Sequence, residues 1–356
     1  MFTRKKTSRK VAGRNMESAE SPVCAVRRKQ TYGPRIRPTR SKKGDKDLPD
    51  EMERLIDDYV DNAISTGVEG FKKEFASIAS YRAPDEIYKY DSFLKHSDRN
   101  RYNDVVCIES TRVILTQDVP PSTDYIHANW IKFEKHDRVF IATQAPLDNT
   151  IDDFWRMIFQ EKCPSIVNLT PMIENGKVKC TTYWPQHPGA FNTYDKMFVN
   201  TKKVEFEEQF TIYTIELLPE GCSDSHIVKM IHMTNWPDKG VPASGRHVLR
   251  LLRMVVANRL DCGPIVVHCS AGIGRTGSII LIDVILHKLF SGEKIELPRL
   301  FKQLRDQRAS SINTESLYVF VVYSVLDYLR AKFPTKYKEK TQGFFDDFKA
   351  IRQLQT

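Results

Sequence analysis

Cys269 and Arg275 stand six residues apart in the segment PIVVHCSAGIGRTG, which spans residues 264–277. A β-branched run precedes the cysteine, and an apolar stretch begins shortly after the arginine. The pattern predicts a buried strand, a tight loop and a helix, with the cysteine at the end of the strand. The residues between the two are small or flexible: Ser270, Ala271, Gly272, Ile273 and Gly274.

Such a loop is suited to binding an anion. Its backbone N–H groups and the N-terminus of the following helix would face the bound group, and small residues let the backbone approach closely. Arg275 can add a planar pair of donors to two phosphate oxygens. The same positive field favours the thiolate of Cys269, which can then attack phosphorus in line. The segment predicts phosphoryl transfer through a cysteinyl-phosphate intermediate, against the alternative of a buried structural cysteine before an ordinary turn.

The surrounding segments predict the elements that position this motif. Short β-rich runs fill residues 105–235, and helical patterns precede and follow them, which indicates one domain of the α/β class (α+β-like) with a central sheet and flanking helices. The predicted strands are VVCI, RVIL, YIHANWI, RVFIATQ, SIVNLT, KMFVNTKKVEF, QFTIYTIEL and HIVKMIHMT. The predicted helices are DEMERLIDDYVDNAIS, VEGFKKEFASIAS (separated from the first by Gly67), IDDFWRMIFQEK, RHVLRLLRMVVANRL, one from about Arg275, LPRLFKQLRDQ and ESLYVFVVYSVLDYLRAKF.

Charge is distributed unevenly along the 356 residues, whose formal net charge is +9. Residues 1–47 contain 15 Lys and Arg against 4 Asp and Glu, so this segment carries +11 and the rest of the chain −2. Few large apolar residues accompany that charge, which predicts a basic disordered tail. Nuclear import, or attraction to acidic partners, nucleic acid or an anionic membrane, are the alternatives left open for it. A domain is expected over 48–335, followed by a C-terminal extension over 336–356 whose amphipathic stretch GFFDDFKAIRQL docks on the domain or on a partner.

Cysteine usage and hydropathy limit the class of protein. The seven cysteines have neither CxxC nor metal-ligand spacing, so we expect free thiols, a reducing compartment and no metal site. The longest apolar run is too short and too charged to span a membrane, and the N-terminus lacks the apolar core of a secretory signal. The expected location is the cytoplasm, with the nucleus as the alternative through the basic tail.

The segment VHCSAGIGRTG resembles the signature of the classical (non-receptor type) protein tyrosine phosphatases, and the resemblance covers roughly residues 50–335. It implies a single domain with a central twisted mixed β-sheet flanked by helices, and phosphotyrosine-containing protein substrates. No cofactor is implied, and we expect a monomer. By this resemblance Cys269 is the nucleophile and Arg275 binds the phosphate together with the loop residues 270–274. Thr276 would stabilise the departing thiolate, and His268 would tune the loop through hydrogen bonding.

Two further segments are similar to parts of the same family. NWPDKGVP at 235–242 resembles the acid loop, in which Asp238 would be the general acid and then the base that activates water. Trp236 would anchor one hinge of that loop. NRYNDV at 100–105 resembles the phosphotyrosine recognition loop, in which Tyr102 would wall the pocket and stack on the substrate ring. Asp104 would accept hydrogen bonds from the substrate backbone.

Two charged residues also match the family, and one segment departs from its pattern. Glu174 lies where the family has a carboxylate that orients the signature arginine. Lys179 lies where the family has a lysine that pairs with the acid-loop aspartate or the substrate region. The alternative for both residues is an ordinary solvated charge. The family closes the site with Gln-Thr-x-x-Gln, whereas residues 313–317 read NTESL. Asn313 would bind at the substrate site but is one methylene shorter than glutamine, and Leu317 has no hydrogen-bonding group. We therefore expect the phosphoenzyme to form and its hydrolysis to be slowed.

Three rival interpretations remain beside an active phosphotyrosine phosphatase. The first is a slow or inactive phosphotyrosine-binding module of the same fold, motivated by Asn313 and Leu317. The second is a phosphatase for phosphoserine or lipid phosphates, against which Tyr102 argues. The third makes the basic tail the main functional part, as a tether to nucleic acid or membrane.

Overall fold

The β-branched segments between residues 112 and 268 pair into one nine-stranded sheet, and a separate two-stranded hairpin lies beside it. The computed structural model describes residues 49–116, 124–237, 240–255 and 263–353. The tail over 1–47, Asp238 and the last residues of the fourth predicted helix lie outside these ranges. Within them the sheet is mixed and flanked by helices, so the predicted α/β fold class is confirmed.

The strands follow the chain as β1 (Arg112–Ile114), β2 (Tyr125–Ile131), β3 (Phe140–Thr143), β4 (Ser165–Asn168), β5 (Ile173–Glu174), β6 (Lys177–Val178), β7 (Phe191–Tyr194), β8 (Met197–Glu207), β9 (Phe210–Pro219), β10 (His226–His232) and β11 (Ile265–His268). Their order across the sheet is β1-β2-β3-β11-β4-β10-β9-β8-β7, and β5 pairs with β6. The four central strands β3, β11, β4 and β10 are parallel to one another, and the outer pairs are antiparallel. The carboxyl end of β11 therefore lies at the middle of the parallel part.

The helices are α1 (Asp50–Ile78), α2 (Asp91–Lys95), α3 (Ile151–Gln160), α4 (Arg246–Met254), α5 (Gly274–Phe290), α6 (Leu297–Gln307), α7 (Glu315–Lys332), α8 (Pro334–Tyr337) and α9 (Gln342–Gln353). Gly67, at φ 64° and ψ 174°, interrupts α1 where the sequence predicts two helices. Among the residues that the structure describes, no helix combines the length and the apolar character that crossing a bilayer requires.

The two faces of the sheet contribute to two separate cores. Along β11, Val267 packs into the cluster that contains α5 and α7, whereas Val266 packs into the cluster that contains α3. This alternation follows from the two-residue period of a strand. Because both faces are covered, all four residues of β11 are buried, as the continuous β-branched run at this point predicts.

The prediction of a strand at VVCI is wrong: Val105, Cys107 and Ile108 are buried and Val106 is partly buried, but the segment pairs with no strand of the described sheet. Side chains of β2, and not its main-chain groups, form the hydrogen bonds to this segment. His127 bonds the carbonyl oxygen of Val105 at 2.8 Å, and Asn129 donates to that of Ile108 at 2.9 Å. Because β1 already pairs with the edge of β2, the apolar residues of this segment are buried without strand pairing.

The C-terminal amphipathic stretch forms α9 and packs on the domain. Phe344, Phe345 and Phe348 are buried in the cluster that contains α1 and α7. The ring of Phe348 stacks on Tyr323 with a centroid distance of 4.1 Å and lies 6.4 Å from that of Phe320. The helix therefore adds its aromatic face to the main core.

We expect Phe348→Ala to lower the free energy of unfolding by about 3 kcal/mol, because it removes a buried ring and leaves a cavity. Urea denaturation followed by circular dichroism measures the change. Phe206→Ala is the matched control, since Phe206 is 81% exposed on β8 and its removal should change stability by less than about 0.5 kcal/mol. Equal effects of the two substitutions would contradict the docking of α9.

Candidate active site

The carboxyl end of β11, the loop after it and the start of α5 form the floor of a cavity of about 380 Å³. Cys269 directly follows β11 and is 6% exposed. Residues 269–274 are called the cysteine loop below. The predicted site residues that line the cavity are Tyr102, Glu174, Lys179, Trp236, Cys269, Ser270, Ala271, Ile273, Gly274, Arg275 and Asn313.

The cysteine loop has a backbone that only glycine allows at its centre. Gly272 has φ +70°, and a Cβ there would lie 2.0 Å from the carbonyl oxygen of Thr143. A Cβ on Gly274 would lie 2.9 Å from Asn313 Oδ1. Close packing against main-chain atoms therefore requires glycine at 272, whereas at 274 the nearest atom is the end of the exposed Asn313 side chain, which can move.

Arg308 fixes the direction of the peptide groups in this loop. It is fully buried and donates from Nε to the carbonyl oxygen of Gly272 at 3.1 Å and from Nη2 to that of Ala271 at 2.9 Å. In a trans peptide the N–H points opposite to the carbonyl, so the N–H groups of Gly272 and Ile273 point away from Arg308, toward the cavity side. The arrangement supplies fixed donors for an anion.

Arg275 reaches the cavity from the first turn of α5. Its Nη1 forms an ion pair with Glu174 Oε1 at 2.7 Å and donates to the carbonyl oxygen of Leu169 at 3.0 Å. Its Nη2 donates to the carbonyl oxygen of Pro237 at 3.2 Å. Glu174 and the segment before residue 238 therefore hold the guanidinium in place. The predicted acid Asp238 itself lies outside the described residues.

His268 lies beneath the cavity and not in it. It is fully buried, its Nε2 is 2.7 Å from the hydroxyl of Tyr183, and its Nδ1 is 3.2 Å from the carbonyl oxygen of Cys269. Burial lowers the pKa of His268 to about 3, so the ring is neutral. Because the carbonyl can only accept, Nδ1 carries the proton and Nε2 accepts from Tyr183. Thr276 is also fully buried, and its hydroxyl has no hydrogen-bond partner within the described part of the chain.

The segment 100–105, called the tyrosine loop below, brings Tyr102 to the cavity wall. Ser270 Oγ donates to the carbonyl oxygen of Lys179 at 2.9 Å, so the Tyr102 hydroxyl, 2.9 Å from Ser270 Oγ, is the donor in that contact. Asp104 is exposed and is not among the residues that line the cavity. Tyr102 is thus tied to the cysteine loop, whereas Asp104 faces solvent.

The remaining predicted residues lie around the mouth. Trp236 is 2% exposed, packs on Phe320 with a centroid distance of 5.4 Å, and donates to the carbonyl oxygen of Gly240 at 3.4 Å. Asn313 is exposed, and Leu317, 7% exposed, adds an apolar surface to the cavity. The core thus holds the tryptophan beside the acid-loop segment.

Comparison with known proteins adds a family assignment to this geometry. The family model described as "Protein-tyrosine phosphatase" matches residues 96–327, about two thirds of the chain. The chain belongs to the protein-tyrosine phosphatase family. It is 34% identical over 263 residues to mouse tyrosine-protein phosphatase non-receptor type 20, covering 72% of this chain and 60% of that protein. It is 34% identical over 287 residues to human receptor-type tyrosine-protein phosphatase F, covering 79% of this chain and 14% of that protein.

A third relative, the Caenorhabditis elegans tyrosine-protein phosphatase Lar-like, is 36% identical over 260 residues, which cover 72% of this chain and 12% of that protein. The chain thus matches about three fifths of the length of the non-receptor type 20 relative, about one seventh of that of the receptor-type F relative and about one eighth of that of the Lar-like relative. Within the described ranges of this phosphatase-family chain, no group of three or more His, Cys, Asp and Glu residues is arranged to hold a metal ion.

Sequence reasoning missed two residues that support the site of this family member. Arg308 fixes the cysteine loop, and Gln144 fixes the tyrosine loop by accepting from the N–H of Arg101 at 2.9 Å and donating to the carbonyl oxygen of Arg99 at 2.8 Å. Both act on main-chain groups that are distant in sequence. In the sequence, the only sign of either role is a polar side chain within a segment whose pattern predicts burial.

We expect Gly272→Ala to lower the free energy of unfolding by about 3 kcal/mol, since it combines a left-handed backbone with a clash against Thr143. Gly189→Ala separates the two causes. Gly189 also has a positive φ, of 80°, but a Cβ there would meet nothing within 4 Å, so a loss of about 1 kcal/mol is expected. Chemical denaturation of both variants measures the difference, and equal losses would argue against a tightly packed cysteine loop.

Acid should destabilise the fold through His268. Its pKa rises from about 3 in the folded chain to about 6.5 on unfolding, so its contribution to stability is present above pH 6.5 and is lost as the pH falls toward 3. Between pH 7 and pH 5 this loss is about 2 kcal/mol. His268→Gln should flatten the pH dependence of unfolding by that amount, whereas His187→Gln, which removes an exposed histidine, should leave it unchanged.

Proposed function

We propose that this chain is an enzyme that hydrolyses phosphotyrosine in proteins through a cysteinyl-phosphate intermediate. The observation that carries the proposal is the thiol of Cys269 on the floor of a cavity whose wall holds Arg275, oriented by Glu174 at 2.7 Å. A nucleophile, a fixed cation and inward N–H groups are the parts that phosphoryl transfer requires. Family membership supports the same reaction class.

The first step transfers the phosphoryl group to sulfur. The thiolate of Cys269 attacks phosphorus, the bond from phosphorus to the tyrosine oxygen breaks, and Asp238 gives its proton to the leaving oxygen. Arg275 and the N–H groups of the cysteine loop bind the oxygens of the transferring group, where charge is spread in the transition state. The products of this step are a tyrosine side chain and the phosphocysteine.

The second step returns the enzyme to its starting state. Asp238, now ionised, takes a proton from water as the water attacks phosphorus, and the sulfur–phosphorus bond breaks. The thiolate leaves, and the buried hydroxyl of Thr276, which has no hydrogen-bond partner among the described residues, is proposed to donate to it. Inorganic phosphate is released. Every bonding change is accounted for by the substrate, water and this chain.

Tyr102 supports tyrosine as the substrate side chain. It lines the cavity and is anchored through its hydroxyl to Ser270, so its ring is held as a wall against which an aromatic ring can pack. Asp104, which is exposed beside it, is proposed to accept hydrogen bonds from the substrate backbone. Lys179 and Trp236 are proposed to support the acid-loop segment. We propose that this wall disfavours the shorter phosphoserine side chain.

A second candidate is a phosphotyrosine-binding module that turns over slowly or not at all. The observation that favours it is the side chain of Leu317, which lines the cavity with apolar atoms beside the short amide of Asn313. In this candidate the phosphoenzyme forms, but its hydrolysis is slow because the shorter amide of Asn313 does not reach the attacking water and Leu317 has no hydrogen-bonding group. A misplacement of about 1 Å can reduce a rate by about a hundredfold.

The organisation proposed around this activity follows from the sequence. The catalytic domain would extend over 48–335, with a basic tail before it and an extension over 336–356 after it. We propose a cytoplasmic, monomeric protein that acts on phosphotyrosine-containing proteins, with the basic tail contacting acidic partners. These assignments rest on residue patterns and on the family.

A rapid-quench time course with a phosphotyrosyl peptide tests the proposal. We expect a burst of one tyrosine released per chain, followed by slower steady turnover, because Asn313 and Leu317 slow only the second step. Cys269→Ser should abolish both phases, and Asp238→Ala should slow the burst by about a hundredfold or more. The double substitution Asn313→Gln, Leu317→Gln should raise the steady rate with the burst unchanged, whereas Asn192→Gln on the distant β7 should change neither.

The outcomes separate the candidates. A burst with no later turnover would identify a phosphate trap or binding module. A folded wild-type chain that gives no burst would overturn the catalytic proposal, and equal rates on a phosphoseryl peptide would overturn the assignment of tyrosine.

A further inference from the structure

A buried chain of hydrogen bonds joins the tyrosine loop to the cysteine loop behind the cavity. His127 lies on β2, is 1% exposed, and has its Nε2 2.8 Å from the carbonyl oxygen of Val105 in the tyrosine loop. Its Nδ1 lies 3.0 Å from Nη1 of Arg308. The other donors of Arg308 reach the carbonyl oxygens of Ala271 and Gly272 in the cysteine loop. One imidazole thus connects the two loops through a single arginine.

The two partners leave His127 only one tautomer. A guanidinium has only donors, so Nδ1 must accept from Arg308; a carbonyl only accepts, so Nε2 must carry the proton for Val105. Burial, with the charge of Arg308 as the second cause, lowers the pKa of His127 to about 3. The ring is therefore neutral at ordinary working pH, and both bonds persist together.

Arg308 is suited to this role because its position is fixed from several sides. Its four acceptors are the two carbonyl oxygens of the cysteine loop, His127 Nδ1 and Asn129 Oδ1, all of them uncharged. Burial of a cation without a carboxylate is costly, so its hydrogen bonds have to be well formed. The planar fork of the guanidinium then sets the spacing between the groups that it joins.

The end of the tyrosine loop depends on these side chains because it has no strand partner among the described residues. Val105 and Ile108 bond to β2 through His127 and Asn129, and Asn129 is also a partner of Arg308 at 2.7 Å. Loss of the His127 bond would free the carbonyl oxygen of Val105, which directly follows Asp104. The backbone of the tyrosine loop would then be held mainly at its other end, by Gln144.

We propose that His127 is a positioning residue that sets the tyrosine loop against the cysteine loop and thereby determines the preference for phosphotyrosyl peptides over small aryl phosphates. The inference rests on the proposed function, because it assumes that Asp104 contacts the substrate backbone. A small aryl phosphate has a ring and a phosphate but no backbone. It therefore needs the cysteine loop and Tyr102 but not the contact at Asp104.

Two substitutions separate the two bonds of His127. Asn places an acceptor near the position of Nδ1 but is too short to reach Val105, so His127→Asn keeps the bond to Arg308 alone. Gln reaches the position of Nε2, so His127→Gln keeps the bond to Val105 and loses the acceptor for Arg308. His226→Asn is the control, since His226 bonds the carbonyl oxygen of Cys163 at 2.7 Å on a remote part of the sheet.

The experiment compares a phosphotyrosyl peptide with p-nitrophenyl phosphate. We expect His127→Asn to lower kcat/KM for the peptide by about tenfold, mainly through KM, with p-nitrophenyl phosphate changed by less than about twofold. We expect His127→Gln to lower kcat on both substrates by a similar factor, because the cysteine loop loses support. In a Cys269→Ser background, the peptide Kd should rise about tenfold with His127→Asn and by much less with His127→Gln.

Separate control measurements test whether the variants fold and whether the wild-type chain is active. Melting temperatures of all variants are measured first. If His127 had a purely structural role, His127→Asn would lower kcat/KM for both substrates together, in proportion to the loss of stability. That result, or unchanged peptide selectivity in a folded His127→Asn variant, would overturn the inference. A wild-type chain that turns over neither substrate would contradict the proposed function alone, since the Kd comparison in the Cys269→Ser background still decides the role of His127.

Discussion

A buried cation that has no carboxylate partner within the described part of the chain is the constraint around which the candidate site is built. Arg308 satisfies four of its donors with two carbonyl oxygens of the cysteine loop and two side chains of β2. These bonds turn the carbonyls away from the cavity and hence the following N–H groups toward it. A bound anion would lie on the other side of the same peptides, so the cation also contributes to the positive potential at the site. The loop is thus held in a shape that suits an anion.

The sheet explains why the loop meets the other parts of the site. The parallel strands β3, β11 and β4 all end at one edge, and chain segments that leave this edge turn around the cavity. Thr143, at the end of β3, blocks a Cβ at Gly272, and the carbonyl oxygen of Leu169, which follows β4, accepts from Arg275. Ligand sites of parallel sheets commonly lie outside the carboxyl ends of the strands, because the loops there converge.

Arg275 is held by an acidic side chain and by a main-chain carbonyl group, and the two contacts have different consequences. Glu174 balances its charge, and the carbonyl oxygen of Pro237 ties it to the segment that leads to Asp238. A phosphate that binds the guanidinium would therefore contact a group that is also hydrogen-bonded to the start of the acid-loop segment. On its other side this segment is anchored by Trp236, which packs on α7 through Phe320, and α7 in turn carries the aromatic face of α9. The core and the site are physically continuous.

The sequence alone determined the parts of this protein that are local. The β-branched run, the small loop and the apolar helix predicted the strand, loop and helix around Cys269, and the observed bounds of α6, α7 and α9 follow the predicted helical segments closely. Cys269 and Arg275 could be chosen as the central pair because the chemistry of their types and their short spacing are local properties. The same segment carries the resemblance to the family, which the match over residues 96–327 shows.

Only the tertiary structure decided how distant main-chain groups are satisfied. VVCI has the composition of a strand, yet its carbonyl oxygens are bonded by His127 and Asn129, because β1 already occupies the edge of β2. The short strands β5, β6 and β7 have no strong pattern, since their formation depends on partners and not on burial of their own side chains. Arg308 and Gln144 looked like ordinary polar residues. Their roles come from hydrogen bonds to groups tens to hundreds of residues away, and no spacing in the sequence encodes such contacts.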